Sequence, residues 1–384
     1  MLLLLFGLVA LVQLFVWGRV LGNAYPDPEP EPVVSRNESG VSVIVCFRNE
    51  EATLSACVEA ILAQTYPGPF ELLLVDDNST DRSASVVHPF VIRYEHVRLL
   101  EPGPTRPGKK DALAHGIAAA RYDHLLLTDA DCVPASSHWL WWMTRPLREG
   151  QDLVLGVSPL LPGKTPGLLD WWQWYESVYV SLKYLGFAHR GRPYMGVGRN
   201  LAYTRGFYER ADGFAAHADL PGGDDDLLVA GNAEAHRTAT VTHPAAWTHS
   251  RGPQTWRAYF RQRRRHQSTG PRYPRRVGLR LGRIALTHGL FYLLGFALLL
   301  SYAWPLAVGT YALRWLLVCG AFARPLLFAD PGAAAVAEHG RSTGAEMRTK
   351  SWVWLGCFVM VGDLLAGPMY LFLVVSGWRK AKDW

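Results

Sequence analysis

Short apolar runs alternate with amphipathic stretches through the middle of this chain, and longer apolar stretches flank them. Val41–Cys46 (VSVIVC) is a β-branched run that stops at Phe47-Arg48-Asn49-Glu50-Glu51. Residues 52–64 then carry Leu54, Cys57, Ile61 and Leu62 at helical spacing. Phe70–Val75 (FELLLV) stops at Asp76-Asp77-Asn78-Ser79, and His124–Leu127 stops at Thr128-Asp129-Ala130-Asp131. Strands alternating with helices predict an α/β domain with a parallel sheet covered on both faces. Ligands of such sheets bind outside the carboxyl ends of the strands, and the polar clusters fall at three such ends.

The flanking stretches change the picture. Residues 2–17 carry no charge, and 284–304, 306–328 and 352–377 are strongly apolar. Roughly 20 apolar residues cross a hydrocarbon core as a helix, so membrane attachment at both ends is expected. An uncleaved N-terminal anchor is favoured over a signal peptide, because no basic n-region precedes the apolar run. Ten arginines lie between Arg257 and Arg283. Basic residues beside membrane segments stay inside, which predicts an inner-membrane protein with its catalytic domain cytoplasmic. Such a cluster also attracts anionic lipid headgroups, and its place at a membrane boundary argues against nucleic acid. The expected order is an anchor (1–22), a Pro- and acid-rich linker (23–39), a cytoplasmic domain (40–270), a basic juxtamembrane segment (271–283) and a membrane region (284–384). Two to three transmembrane or interfacial helices are expected in the last, because Arg314 and Arg324 interrupt its middle segment. Neither way of threading these segments places the tail 378–382 and the basic residues Arg341, Arg348 and Lys350 cleanly inside.

Composition adds little beyond this. The five cysteines are scattered without CxxC spacing, as in a reducing compartment. The sequons at Asn37 and Asn78 would then be silent. Residues 166–190 form an aromatic-rich helix, read first as a packing helix and second as an acceptor platform.

Chemistry concentrates in the acids. Asp129 and Asp131, spaced i, i+2 at a strand end, repel unless a proton or cation intervenes. A hard divalent ion takes oxygen ligands and shares them with phosphates, so the pair is a candidate Mg2+ or Mn2+ site beside a diphosphate. Asp76 and Asp77 suit nucleoside hydroxyls or N–H groups, although a turn rich in Asx residues explains them too. Gly108-Lys109-Lys110 suits phosphate. Asp224-Asp225-Asp226 places like charges together, which raises a pKa toward that of a general base; a helix N-terminus accounts for acids there equally well. Gln262-Arg263-Arg264-Arg265-His266 offers an amide and guanidinium groups for a diphosphate.

In this order the pieces resemble family 2 glycosyltransferases of the GT-A fold, inverting enzymes with a Rossmann-like sheet. The opening strand with Arg48-Asn49-Glu50 matches, as do Val75 to Ser79, Gly108-Lys109 with Ala112-Leu113, Asp129 with Asp131, and Gly198 with Asn200 to Tyr203. The resemblance implies that Glu50, Asp76, Asp77, Lys109, Asp129 and Asn200 bind the nucleotide or donor, and that Asp129 and Asp131 bind the metal. It further implies that Gln262 and Arg265 stand for the Gln-x-x-Arg-Trp motif of membrane-bound members. Three departures matter. Ala114 stands where Asn often follows. Asp224 replaces the usual Glu, leaving the base open between Asp224 and Asp225. His266 replaces the motif's Trp, so stacking on the acceptor as in processive synthases is not expected.

The sequence therefore points to a membrane enzyme of cell-envelope polysaccharide or glycolipid synthesis. It would move a sugar from a nucleotide-diphosphate sugar to a lipid-linked or glycan acceptor, with membrane lipids and envelope-biosynthesis proteins as partners. A processive synthase and a non-catalytic sugar-nucleotide scaffold are the alternatives.

Overall fold

The computed structural model describes residues 1–26, 38–163, 165–328 and 356–369. The linker around Asn37, the basic residues Arg341, Arg348 and Lys350, the tail 378–382, the Arg324 side chain and both ends of the 352–377 segment lie outside these residues. The elements fall into two compact units, one of residues 26–165 and 191–254, the other of residues 1–25, 166–190 and 255–384.

The first unit is built on β1 (Val41–Phe47), β2 (Phe70–Asp76), β3 (Val97–Leu100), β4 (His124–Asp129), β6 (Leu153–Leu155), β7 (Leu201–Thr204) and β8 (Thr238–Thr240), in the order β3-β2-β1-β4-β7-β6-β8. A small ribbon pairs β5 (Val133–Pro134) with β9 (Thr248–His249). Helices α2 (Leu54–Leu62), α3 (Ser83–Arg93), α4 (Lys110–Ala119), α5 (Trp139–Arg148), α7 (Arg205–Arg210) and α8 (Asp226–Asn232) connect the strands.

Strands β3, β2, β1 and β4 are parallel, as the alternating pattern predicts. Their residues are apolar on both faces because both faces are covered. Val41, Val43 and Val45 pack with Cys57, Val58 and Ile61 of α2 and with Trp139 and Met143 of α5. On the opposite face α4 lies so close that a Cβ on Gly116 would stand 2.9 Å from Ile44 and 3.0 Å from Val75. Each such Val or Leu, fully buried, contributes about 1.5–3 kcal/mol. Strand β7 departs from the expected parallel sheet and runs antiparallel to both β4 and β6. Three of its four residues, Leu201 to Tyr203, sit inside the Gly198–Tyr203 motif, whose polar flank hides a strand from any reading of periodicity.

In the second unit α1 (Leu2–Phe15) continues through a π turn and a 3-10 turn to Asn23. With it are α6 (Leu168–His189), α9 (Trp256–Gln267), α10 (Arg275–Leu299), α11 (Trp304–Phe328) and a short helix, α12 (Gly356–Met369). Three stretches, Leu2–Asn23, Arg275–Leu299 and Trp304–Ala323, are long and apolar enough to cross a membrane. Phe6, Val9 and Ala10 pack on Phe291, Leu298, Ala303 and Ala307. Helix α6 is a packing helix: Trp172, Trp174, Tyr175 and Tyr179 are buried, Tyr179 stacks on Trp17 at 5.8 Å, and Tyr175 stacks on Phe322 at 5.1 Å. Helix α9 is held to it through Glu176, which receives the Tyr259 hydroxyl at 3.0 Å and pairs with Arg263 at 2.6 Å. Arg314 is buried and paired with Asp363 of α12, so its charge does not interrupt α11.

Candidate active site

Parallel register brings the acids to one edge of the sheet. Phe47 stands opposite Asp76, and Cys46 stands opposite Asp129, so β1, β2 and β4 end level. Beyond them the chain turns sharply at Asn49 and Asn78, both left-handed at φ 57° and 59°, a conformation Asn tolerates better than most residues. The two turns are sewn together: the Asn49 N–H donates to Ser79 Oγ at 3.1 Å, and the Thr80 N–H donates to Asn49 Oδ1 at 2.7 Å. Glu50 lies in this seam, its N–H donating to Ser83 Oγ and its carboxylate accepting from the Thr53 hydroxyl at 2.7 Å.

Asp76, the last residue of β2, and Asp77 just beyond it are buried and held by one oxygen each. Asp76 Oδ1 accepts the Ser79 N–H at 2.8 Å, and Asp77 Oδ1 accepts the Thr105 hydroxyl at 2.5 Å. Among the described residues neither Oδ2 receives a hydrogen bond. These oxygens are suited to donors from outside the chain.

Lys109 is the hub of the remaining acids. Its Nζ stands 2.6 Å from Asp129 Oδ1 and 3.1 Å from Asp224 Oδ2, bridging β4 to the loop before α8. Gly108 makes this possible. It has φ +99°, and a Cβ there would lie 2.1 Å from the Pro221 carbonyl oxygen, so only glycine lets the two loops meet. Burial opposes the Lys109 charge, but Asp129 and Asp224 outweigh it and hold its pKa well above the usual value.

Asp225 caps α8. Its Oδ1 accepts the Asp226 N–H at 2.7 Å and its Oδ2 the Gly198 N–H at 2.7 Å. Burial, then the charges of Asp224 and Asp226, push it up to about 7, against the pull of Lys109 and the Gly198 N–H. A Cβ on Gly198 would stand 3.0 Å from Lys109 Nζ and 3.5 Å from both Asp224 and Asp225; the bare backbone is what brings its N–H to the acid.

Burial, then the neighbouring Asp129 carboxylate, raises Asp131 to about 6, while Arg199 pulls it down. A site whose acids gather one ammonium and still retain a proton near neutrality fits a cation. Among the described residues no three His, Cys, Asp or Glu side chains are grouped to hold a metal alone. A metal here would share its shell with ligand oxygens.

Other expected residues lie apart from this cluster. Asn200 is 0 % exposed. Its Nδ2 donates to the Val157 and Ala246 carbonyls at 2.8 Å each, and its Oδ1 accepts Trp139 Nε1 at 3.0 Å. It therefore ties α5 to the segments around Val157 and Ala246, with its side chain fully engaged. Gln262 and Arg265 are on α9 in the other unit, where Arg265 is exposed. Two further residues lie close to Asp131. Arg199, inside the Gly198–Tyr203 motif, lowers Asp131 through its charge and donates to the Ser158 carbonyl at 2.9 Å. His249 stands opposite Val133, two residues beyond Asp131, and burial lowers it to about 4. Arg199 was legible from its motif; no spacing rule points to His249.

Residues 42–180 match the family model described as "Glycosyl transferase family 2". The chain is 24% identical over 250 residues to the probable glycosyltransferase YdaM of Bacillus subtilis (strain 168), covering 59% of this chain and 54% of YdaM. It is 36% identical over 116 residues to glycosyltransferase GlyG of Streptococcus pneumoniae serotype 4, covering 30% of this chain and 38% of GlyG. The chain thus spans about half or less of the length of these relatives. Among solved structures, the mannosyltransferase PcManGT from Pyrobaculum calidifontis, in complex with GDP-Man and Mn2+, superposes with a TM-score of 0.50 at 20% identity. That superposition covers 95% of this chain and 96% of the other, and it is a likeness of fold. The similarity to glycosyl transferase family 2 thus lies in residues 42–180, and the α/β unit has the GT-A fold.

Proposed function

We propose that this protein is an inverting glycosyltransferase that moves a sugar from a nucleotide-diphosphate sugar to a hydroxyl of a lipid-linked or glycan acceptor. The observation that carries the reading is the Lys109 hub, which gathers Asp129 and Asp224 beside an Asp225 raised to about 7. Asp225 takes the proton of the acceptor hydroxyl, whose oxygen forms a bond to the anomeric carbon. The bond from that carbon to the diphosphate breaks, and its electron pair leaves with the nucleoside diphosphate. Asp224, fixed by Lys109, holds the loop that presents Asp225. Asp76 and Asp77 bind the nucleoside through their outward oxygens, and Lys109 adds positive charge near the phosphates.

Asp129 and Asp131 would hold Mg2+ or Mn2+, which when bound supplies positive charge to the departing diphosphate. Mn2+ in the PcManGT complex supports a divalent ion. The candidate spans and the arginines that precede α10 support placement at the cytoplasmic face of the inner membrane, with a role in envelope polysaccharide or glycolipid synthesis.

The test is turnover of a panel of nucleotide sugars by the full chain in native membranes, with the anomeric configuration of the product read by NMR. A retained linkage would sink the mechanism. Asp225→Asn should abolish turnover and preserve nucleotide binding, whereas a scaffold would keep its function.

A further inference from the structure

The membrane-associated unit holds a charged cluster that takes no part in the proposed reaction. Arg314, in the middle of α11, and Asp363, in the middle of α12, are each 2 % exposed at the side chain. The carboxylate takes the guanidinium end-on: Nη1 donates to Oδ2 and Nη2 donates to Oδ1 at 3.1 Å. The rest of the guanidinium is satisfied from two other helices. Gln13 of α1 accepts from Nε at 3.3 Å and from Nη2 at 3.2 Å; from α10, His288 Nδ1 stands 3.1 Å from Nη2 and the Tyr292 hydroxyl 3.1 Å from Nη1. That hydroxyl also donates to Asp363. The guanidinium carbon lies 5.4 Å from the Trp17 ring centre and 5.1 Å from that of Phe291, so aromatic faces close the site.

Four helices thus converge on one ion pair whose members are 49 residues apart. An isolated charge at such a depth is strongly unfavourable, and burying a pair is tolerable only when the partners satisfy each other. Helix α12 has one apolar side as well: Val361, Leu364 and Leu365 are 46%, 48% and 46% exposed while Asp363 faces inward. Its apolar side suits lipid, and its charge requires Arg314.

We propose that Arg314 and Asp363 form an intramembrane latch, through which α11 and α12 take their places in the bundle together and neither does so alone. The molecule carries its own reporter. Trp315 Nε1 donates to the Gly356 carbonyl at 3.4 Å, and a Cβ on Gly356 would stand 3.9 Å from Cys319 Sγ. Cys357 is the next residue, and both cysteines are free.

The test treats native membranes containing the full chain with a short homobifunctional thiol reagent and quantifies the Cys319–Cys357 cross-link by peptide mass spectrometry. The wild-type chain should cross-link, and Asp363→Asn and Arg314→Gln should each lose at least about tenfold in yield. The double variant Arg314→Met with Asp363→Leu should recover most of it, because an uncompensated charge is the harm and not the loss of polarity. No wild-type cross-link, single variants that cross-link as well as wild type, or an apolar double variant as poor as the singles would each overturn the latch.

Discussion

The raised pKa of Asp225 makes a quantitative claim about rate. A carboxyl that titrates at about 7 is ionised in roughly one molecule in eleven at pH 6 and about ten in eleven at pH 8. If the ionised form is the base, kcat/KM should rise about tenfold between those values; a carboxylate at the ordinary value of about 3.9 would give a flat profile. The neighbours supply an internal control. Asp226 raises Asp225 and Lys109 lowers it, so Asp226→Asn should move the limb to lower pH and Lys109→Met should move it higher. The assay is nucleoside diphosphate release by the full chain in detergent, at saturating donor and Mn2+, from about pH 5.5 to about pH 8.5. A flat wild-type profile, or limbs that shift in the same direction in the two variants, would refute the reasoning. The same shift has a sign for stability. Between about pH 4 and about pH 7 the folded chain holds a proton that the unfolded chain has released, so this group lowers stability as pH rises through that window.

Asn200→Ala should destabilise the fold by at least about 2 kcal/mol, since two carbonyls and one indole N–H lose a buried partner; an unchanged melting temperature with a raised donor KM would show that Asn200 contacts the donor instead. Gly108→Ala should cost about 1–3 kcal/mol in backbone strain alone and displace Lys109, so activity should fall further than the melting temperature implies. Asp131→Asn should abolish Mn2+ binding measured by electron paramagnetic resonance while leaving the circular dichroism spectrum intact. Leu126→Ala, at the centre of the sheet and 0 % exposed, should lower stability by about 2–5 kcal/mol, with residual activity per folded molecule unchanged.

The parallel half of the sheet was legible because β1, β2 and β4 are apolar runs ended by acids, a pattern with few other physical solutions. Strands of three or four residues, such as β6 and β7, carry too few positions for a period to show. The membership of the acid cluster could be proposed from order along the chain, but the contact of Lys109 with both Asp129 and Asp224 could not. It depends on Gly108 meeting Pro221, two residues more than a hundred positions apart. His249 was hidden for a similar reason, since a two-residue ribbon leaves no periodic trace. Arg314 reads locally as a break in an apolar segment: its partner lies 49 residues on, and no local rule joins them.

The division of the chain into units has a consequence for how this protein can be taken apart or inherited. The polypeptide passes from one unit to the other at 25–26, 165–166, 190–191 and 254–255. No single cut separates the seven-stranded sheet from the apolar helices, and a truncation near residue 254 would leave α6 without the Phe322 ring on which Tyr175 stacks. A soluble fragment therefore has to lose or redesign α6 as well. Recombination between genes meets the same obstacle: one crossover cannot exchange the sheet unit for another while keeping the helical unit whole.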